Sequence, residues 1–269
     1  MNASDIANLP VVRHPYEDLS FATYPGDWAV ADMVCSPEYA YQTRKRLYQA
    51  ASRGGCCVEV GAHIGTSTLE AASHFTKVYA FEPSADNHAL LVHNACRNGM
   101  NTLQPWRMAL SDFNGKAKFW VCEVGRSVCH SLNQAVARAA QVEEVDVSTL
   151  DATLPGIRDC TMLMIDAEGH DMRVLQGSRK FIKNQRTPPV IQLEFAPHFW
   201  SQCGSRSDDL IGWAGDMNYR MFGNFGNNFS PVSPTMLREM FSCWKDVSQG
   251  WIDVYLVEPY QAVDVFPNR

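Results

Sequence analysis

Residues 56–82 set the tightest limit on what this chain can fold into. Cys56-Cys57-Val58-Glu59-Val60 is an apolar run that closes on Gly61-Ala62-His63-Ile64-Gly65. A helical stretch beginning at Thr66 follows, and a second apolar run, Val78–Phe81, ends in Glu82-Pro83. Strand, glycine turn, helix and strand with a terminal acid form the first βαβ unit of a nucleotide-binding sheet. The spacing also selects the ligand. A dinucleotide fingerprint, G-x-G-x-x-G, brings pyrophosphate to the helix amino terminus. Here Glu59 stands where the first glycine would be, and the last glycine comes one residue late. A carboxylate repels pyrophosphate but suits an ammonium and a sulfonium, the charges of S-adenosylmethionine.

Alternating apolar runs and helical stretches continue the pattern and predict a doubly wound, Rossmann-like α/β sheet with helices on both faces. Residues 1–50 form an N-terminal arm and helix. The arm is irregular or a short hairpin, and Ser36-Pro37 starts the helix. Residues 51–269 form the main domain. Strands are expected at 56–60, 78–81, 103–110, 161–165, 189–195 and 251–257, with helices over 66–74, 87–98 and 171–183. Lys116–Val121 and Val142–Val147 break the α/β rhythm as a β-hairpin insertion around a polar segment, Gly125–Arg138. The run Gly223–Phe229 holds too many turn formers for a regular element. With Phe199, Trp200, Trp213, Tyr219, Phe222 and Phe225 around it, residues 196–250 are expected to hold an acceptor lid, though most of those rings also suit a local core.

Two groups of residues carry the expected chemistry. For the cofactor, Gly61, Ala62 and Gly65 let the backbone turn beneath a ligand. His63 lies inside that turn, where it would stand close to the sulfonium and supply shape rather than basicity; Thr66 follows the turn, and Glu82 is placed to accept two ribose hydroxyls. For the acceptor, Ile165-Asp166-Ala167-Glu168-Gly169-His170-Asp171 follows a buried strand and emerges at the sheet's carboxyl edge. Methyl transfer from a sulfonium is an in-line displacement. The protein must align the hydroxyl oxygen with the methyl carbon and remove a proton. His170 has the ordinary pKa for that proton, and Glu168 can take it or bind a divalent cation that acidifies the hydroxyl. Asp171 suits the amides of a helix start. Glu194, ending Val190–Glu194 on the neighbouring strand, reads either as a second metal carboxylate or as a hydrogen-bonded structural acid.

A net charge of −6 argues against a nucleic-acid backbone as main partner, because phosphate binding needs clustered Lys and Arg. No apolar run of 18 residues predicts a membrane span, and no basic-then-apolar start predicts a signal peptide. Nine cysteines without C-x-x-C or zinc spacing read as reduced thiols of a cytoplasmic protein. A homodimer is compatible with the sequence.

With these motifs on the page, the chain resembles the FkbM family of S-adenosylmethionine-dependent methyltransferases. Val58–Gly65 is similar to that family's opening motif, which usually has Asp where this chain has Glu59. Phe81-Glu82-Pro83 with Asn87 and Asn94 is similar to its second. Ala109-Leu110-Ser111-Asp112 with Gly115, Ser131-Leu132 and Leu150-Asp151 match its spaced middle landmarks, and Ile165–Gly169 its most recognisable element. The resemblance implies a seven-stranded class I methyltransferase sheet and O-methylation of small-molecule hydroxyls, often on sugars or secondary metabolites. It places Glu59, Gly61, Gly65, Glu82, Pro83 and Asn87 at the cofactor, Met108, Ala109, Leu110 and Ser111 near its adenine, and Asp166 and Glu168 at the acceptor end. A non-catalytic cofactor-binding scaffold in a biosynthetic complex is the competing reading. An NAD(P)-dependent oxidoreductase would need the glycine triplet that Glu59 interrupts.

Overall fold

A computed structural model of the protein describes residues 1–122, 130–136, 141–225, 228–247 and 250–266. Its strands are β1 (Val11–Arg13), β2 (Ser20–Ala22), β3 (Cys56–Val60), β4 (Val78–Phe81), β5 (Leu103–Trp106), β6 (Ala109–Leu110) and β7 (Gly115–Val121). They continue with β8 (Gln141–Ser148), β9 (Cys160–Ile165), β10 (Val190–Phe195), β11 (Arg220–Phe225), β12 (Asn228–Pro231) and β13 (Ile252–Val257). The main sheet has eight strands in the order β12-β11-β13-β10-β9-β3-β4-β5. The run from β10 to β5 is parallel, while β13 is antiparallel to both its neighbours.

Both faces are covered because the central strands present apolar side chains to either side. On one face Cys56, Val58, Val60, Leu163, Ile165, Ile191 and Leu193 pack with Val174, Leu175, Trp200 and Leu210 from the later helices. On the other, Cys57, Met162, Met164 and Val190 meet Leu47, Tyr48 and Ala51 of the helix Glu38–Ser52. That helix is capped by Pro37 rather than Ser36. Among the described residues no helix is long and apolar enough to cross a membrane.

Three expectations need correction. The strand expected over Leu103–Leu110 is two strands, because the Trp106 carbonyl accepts from both the Glu82 and Met108 amides and turns the chain out of the sheet. Its second half, β6, joins β8 and β7 in a separate three-stranded sheet, which is the expected insertion. The helix expected over 171–183 breaks at Gly177, and a second helix, Arg179–Lys183, starts where Asp151 Oδ1 accepts the Phe181 N–H at 2.6 Å. Residues 223–225 and 228–229 fall on the paired strands β11 and β12, not on an irregular loop, while Gly226 and Asn227 lie outside the described residues. Phe229 stacks on Phe266 at 4.4 Å between centroids, and Phe222 packs against the same ring. Cross-strand pairing and ring packing override the local turn preference there.

The N-terminal arm is a hairpin, β1–β2, closed onto the sheet domain by side-chain amides. Asn94 accepts the Ala22 N–H at 2.8 Å and donates to the Ala22 and Ile64 carbonyls at 3.1 and 2.9 Å. Asn98 gives Ser20 the same two-way pairing. These amides act as a partner strand for an edge that would otherwise be bare. Deeper in, His14 Nε2 lies 2.9 Å from Glu70 Oε1, and Arg44 reaches both Glu70 oxygens at 3.1 Å. Arg44 and His14 hold the Glu70 carboxyl below its ordinary range even though burial pushes it upward. Removing one member of such a group strands a buried charge. Glu70→Gln is therefore expected to lower stability by about 2–3 kcal/mol, read as a lower urea midpoint at an unchanged m-value.

Candidate functional site

The carboxyl ends of β3, β4 and β9 open onto a cleft with about 860 Å³ of empty space, its open mouth included, a size suited to small ligands. Its floor is set by a close backbone approach. The Asp166 N–H donates to the Val60 carbonyl at 2.9 Å, and a β-carbon on Gly61 would lie 1.7 Å from the Asp166 carbonyl oxygen. Gly61 also has φ +85°, so only glycine fits there.

Eleven of the residues singled out in the sequence line this cleft: Gly61, His63, Thr66, Glu82, Pro83, Asn87, Ala109, Leu110, Asp166, Glu168 and His170. The other five do not. Ala62 and Gly65 lie inside the turn, where their amides bond the Phe81 and Ala62 carbonyls. Glu59 lies behind the wall, its Oε1 accepting from the hydroxyl of Ser67, which does line the cleft. Ser111 is fully buried with its amide on the Ser148 carbonyl, and so is set apart from the cleft wall made by Met108, Ala109 and Leu110. Glu194 pairs with Asp253 across β10 and β13 and is likewise off the cleft. Among the described residues, no three His, Cys, Asp or Glu side chains are arranged to hold a metal, so a Glu168–Glu194 pair lacks further ligands.

At the cofactor end, Glu82 is oriented by the chain itself. Its Oε2 accepts the His63 N–H and its Oε1 the Ser84 N–H, each at 2.9 Å. With the Asn87 side chain also bonded to it, about one of the carboxylate's four lone-pair sites remains for a ligand donor. Asn87 supports Glu82 and accepts from the Tyr24 hydroxyl at 3.1 Å, which brings the arm to this wall. His63 is held at φ +50°, and neither of its buried ring nitrogens has a partner. Strain and unmet polar atoms of this kind concentrate at ligand sites.

At the other end, Glu168 (φ +48°) and Gly169 (φ +89°) turn the chain sharply after β9. A β-carbon on Gly169 would strike Cys203 Sγ at 2.8 Å and the Phe199 carbonyl at 2.9 Å. Asp171 accepts the Ala167 and Gly169 amides at 3.0 and 3.1 Å, the structural role expected of it. His170 begins the next helix, its Nδ1 3.9 Å from Cys203 Sγ. Burial, with Arg173 nearby, lowers the His170 imidazole to about 4, so the ring is neutral.

Lining residues not foreseen from the sequence are Ser67 and, carried by the insertion, Phe119, His130 and Leu132. Ser131 fixes the insertion residues. Its backbone pairs with Trp120, and its hydroxyl donates to the Glu168 carbonyl at 3.0 Å. His130 stands edge-on to Phe119, and its buried Nδ1 has no partner. The only sequence signal was the Ser131-Leu132 landmark, which marks the loop but not its destination. None of the aromatic residues between 196 and 250 lines the cleft. Trp200, Trp213, Tyr219 and Phe222 are instead buried in the core.

Burial raises Glu59 and Glu82 to about 7, against an ordinary 4.5, and raises Asp171 to about 6. Burial, followed by the carboxyls of Asp171, Asp253, Glu59 and Glu82, also raises Asp166, although its side chain opens on the cleft.

A model of the family described as "Methyltransferase FkbM domain" matches residues 59–221. No curated protein sequence matches the chain. Among solved structures, the methyltransferase FkbM from Methylobacillus flagellatus KT is 17% identical with a TM-score of 0.47, over 84% of this chain and 51% of that one. This chain thus spans about half of that protein's length. A putative methyltransferase from Streptococcus mutans in complex with SAH is 7% identical, with a TM-score of 0.47 over 81% and 96% of the two chains. An rRNA methylase from Streptococcus thermophilus is 10% identical, with a TM-score of 0.48 over 83% and 98%.

The raised carboxyls give the ligand-free protein a defined pH response. As pH rises from about 4.5 to 7 the unfolded chain releases the Glu59 and Glu82 protons first, so their contribution to stability is full below that window and lost above it. Urea midpoints recorded between pH 5 and 8 should therefore fall less steeply for Glu82→Gln than for the parent protein.

Proposed function

Because the chain belongs to the FkbM methyltransferase family, we propose that it transfers the methyl group of S-adenosylmethionine to a hydroxyl oxygen of a small molecule. The observation that carries this reading is the division of one cleft into two ends. Glu82, Asn87 and the Met108–Leu110 wall suit a ribose and a purine. Asp166, Glu168 and His170 gather acid–base groups at the other end. The residues fit the cofactor: Glu82 keeps a free lone-pair site, and the acidic wall complements a ligand bearing an ammonium and a sulfonium.

When bound, the cofactor supplies an electrophilic methyl carbon, and the protein's part is alignment and proton removal. The tight turn at Gly61 brings the cofactor wall against Asp166, so the acceptor end begins one residue away. His170 is neutral and can receive the hydroxyl proton as the oxygen attacks. Glu168, whose carbonyl is tied to Ser131, keeps its carboxyl beside the same oxygen. The insertion residues Phe119, His130 and Leu132 cover the site and limit water.

Calorimetry should detect S-adenosylhomocysteine binding by the parent protein, with Glu82→Ala weakening it at least about tenfold, a loss of 1.4 kcal/mol or more. Undiminished binding by the variant would remove Glu82 from the cofactor site. A screen of hydroxylated metabolites with labelled cofactor identifies the acceptor. With that acceptor, His170→Ala should reduce kcat by about 10²–10⁴ and leave S-adenosylhomocysteine affinity unchanged. Full activity would exclude His170 as the base.

A further inference from the structure

Five adjacent strands, β13, β10, β9, β3 and β4, each bring a carboxyl to the same edge of the sheet. These are Asp253, Glu194, Asp166, Glu59 and Glu82. Among the described residues no Lys or Arg lines the cleft beneath them. Arg44 and Arg173 are engaged by Glu70 and Asp112. Of this row Asp166 and Glu82 line the cleft, where an ionised carboxyl is stabilised by a positive charge on the ligand. The imidazoles do not provide it, since burial keeps His63, His130 and His170 neutral. The unpartnered ring nitrogens of His63, facing the same cleft, independently mark it as a ligand site.

The carboxyls differ in what already holds them. Glu82 accepts two backbone amides and Glu59 the Ser67 hydroxyl, Glu194 lies off the cleft, and Asp171, just outside the row, accepts two more amides. Asp253 has Gln192 and Tyr255 beside it on the sheet. Asp166 opens on the cleft, and its carboxyl makes no hydrogen bond to a described residue. It is the member of the row whose ionisation depends most on the ligand.

We propose that Asp166 is the counter-charge of the transferable methyl sulfonium, ionised while that cation is bound and protonated once the neutral thioether has replaced it. The proposal rests on the S-adenosylmethionine reading above. Binding of the cation displaces a proton from Asp166 to solvent. In the transfer, the acceptor oxygen's lone pair forms the new O–C bond, and the S–C bonding pair stays on sulfur. The hydroxyl proton leaves through His170 and comes to rest on Asp166, which has just lost its counter-charge. One cation and one anion become two neutral groups, so no net charge is created inside the cleft. The overall reaction still yields one proton, but that proton is released when the cofactor binds rather than when the methyl moves.

Facing Asp166 are Glu59 from β3, Glu82 beyond β4, Asp253 from β13 and Asp171 from the following helix, with His63, Glu168 and His170 in the cleft. The donor and its product share ribose, ammonium and carboxylate, so effects on these other groups cancel when the two ligands are compared.

Calorimetry at pH 7 in phosphate and in Tris, whose ionisation enthalpies differ, counts the protons released on binding. S-adenosylmethionine is expected to release about one proton more than S-adenosylhomocysteine, and the ratio of their affinities to rise about tenfold between pH 6 and 7. The analogue with an amine in place of the methyl sulfonium should behave like S-adenosylmethionine. In Asp166→Asn the difference should vanish. Equal proton counts in the parent protein, or a difference that persists in Asp166→Asn, would overturn the proposal while leaving cofactor binding intact. Failure of every ligand to bind the parent protein would overturn the cofactor reading as well.

Discussion

The closest contact between the two halves of the cleft is made by backbone alone. Where β3 ends, Gly61 leaves no side chain to separate it from Asp166 at the end of β9, and the Asp166 amide completes the pairing on Val60. Any larger residue would wedge the two strand ends apart. With them would go the registration of Glu82 and His63 on one side against Glu168 and His170 on the other. In-line displacement tolerates little misplacement, so the distance between the two chemistries is fixed by the part of the protein least able to fluctuate, a parallel pair in the centre of an eight-stranded sheet.

Around that fixed seam the more variable parts are fastened by single polar side chains. Ser131 bolts the insertion to the Glu168 carbonyl, and Asn133 continues the attachment to Gln202 and Cys203. Trp200 donates to the Glu194 carbonyl at 3.2 Å, which keeps the helix Pro197–Gln202 against the back of the 166–170 turn. Buried hydrogen bonds of this sort add modestly to stability when made and cost about 1–3 kcal/mol when one partner is left unpaired. They therefore specify one arrangement of loops more strongly than they stabilise it.

The parts legible in the sequence share a property: their signal is local. The apolar runs before Gly61 and Glu82, the glycine turn and the Asp166–Gly169 element are each contained in about ten residues. Periodicity and turn chemistry decide such stretches. What stayed hidden depends on distant partners. Nothing near Phe119 or His130 indicates that a serine hydroxyl will carry them to residue 168. The facing of Glu194 was ambiguous for another reason: a strand shows alternate sides, and on a sheet covered on both faces apolarity does not say which side is which. Gly223–Phe229 misled because its glycine and asparagine count outweighed, locally, the rings that pair it with Phe266.

The Asn94 clamp bears on how the chain comes to be folded. It joins Ala22 to a helix 72 residues further along and to the turn at Ile64. During synthesis the arm therefore emerges long before either of its anchors exists. A chain made from its amino end must keep Phe21 and Tyr24 waiting, exposed, until the first two strands and their helices have formed. The arm is then the last element to dock behind Asn87 rather than the first, and its docking reports that the first two strands and their helices are in place.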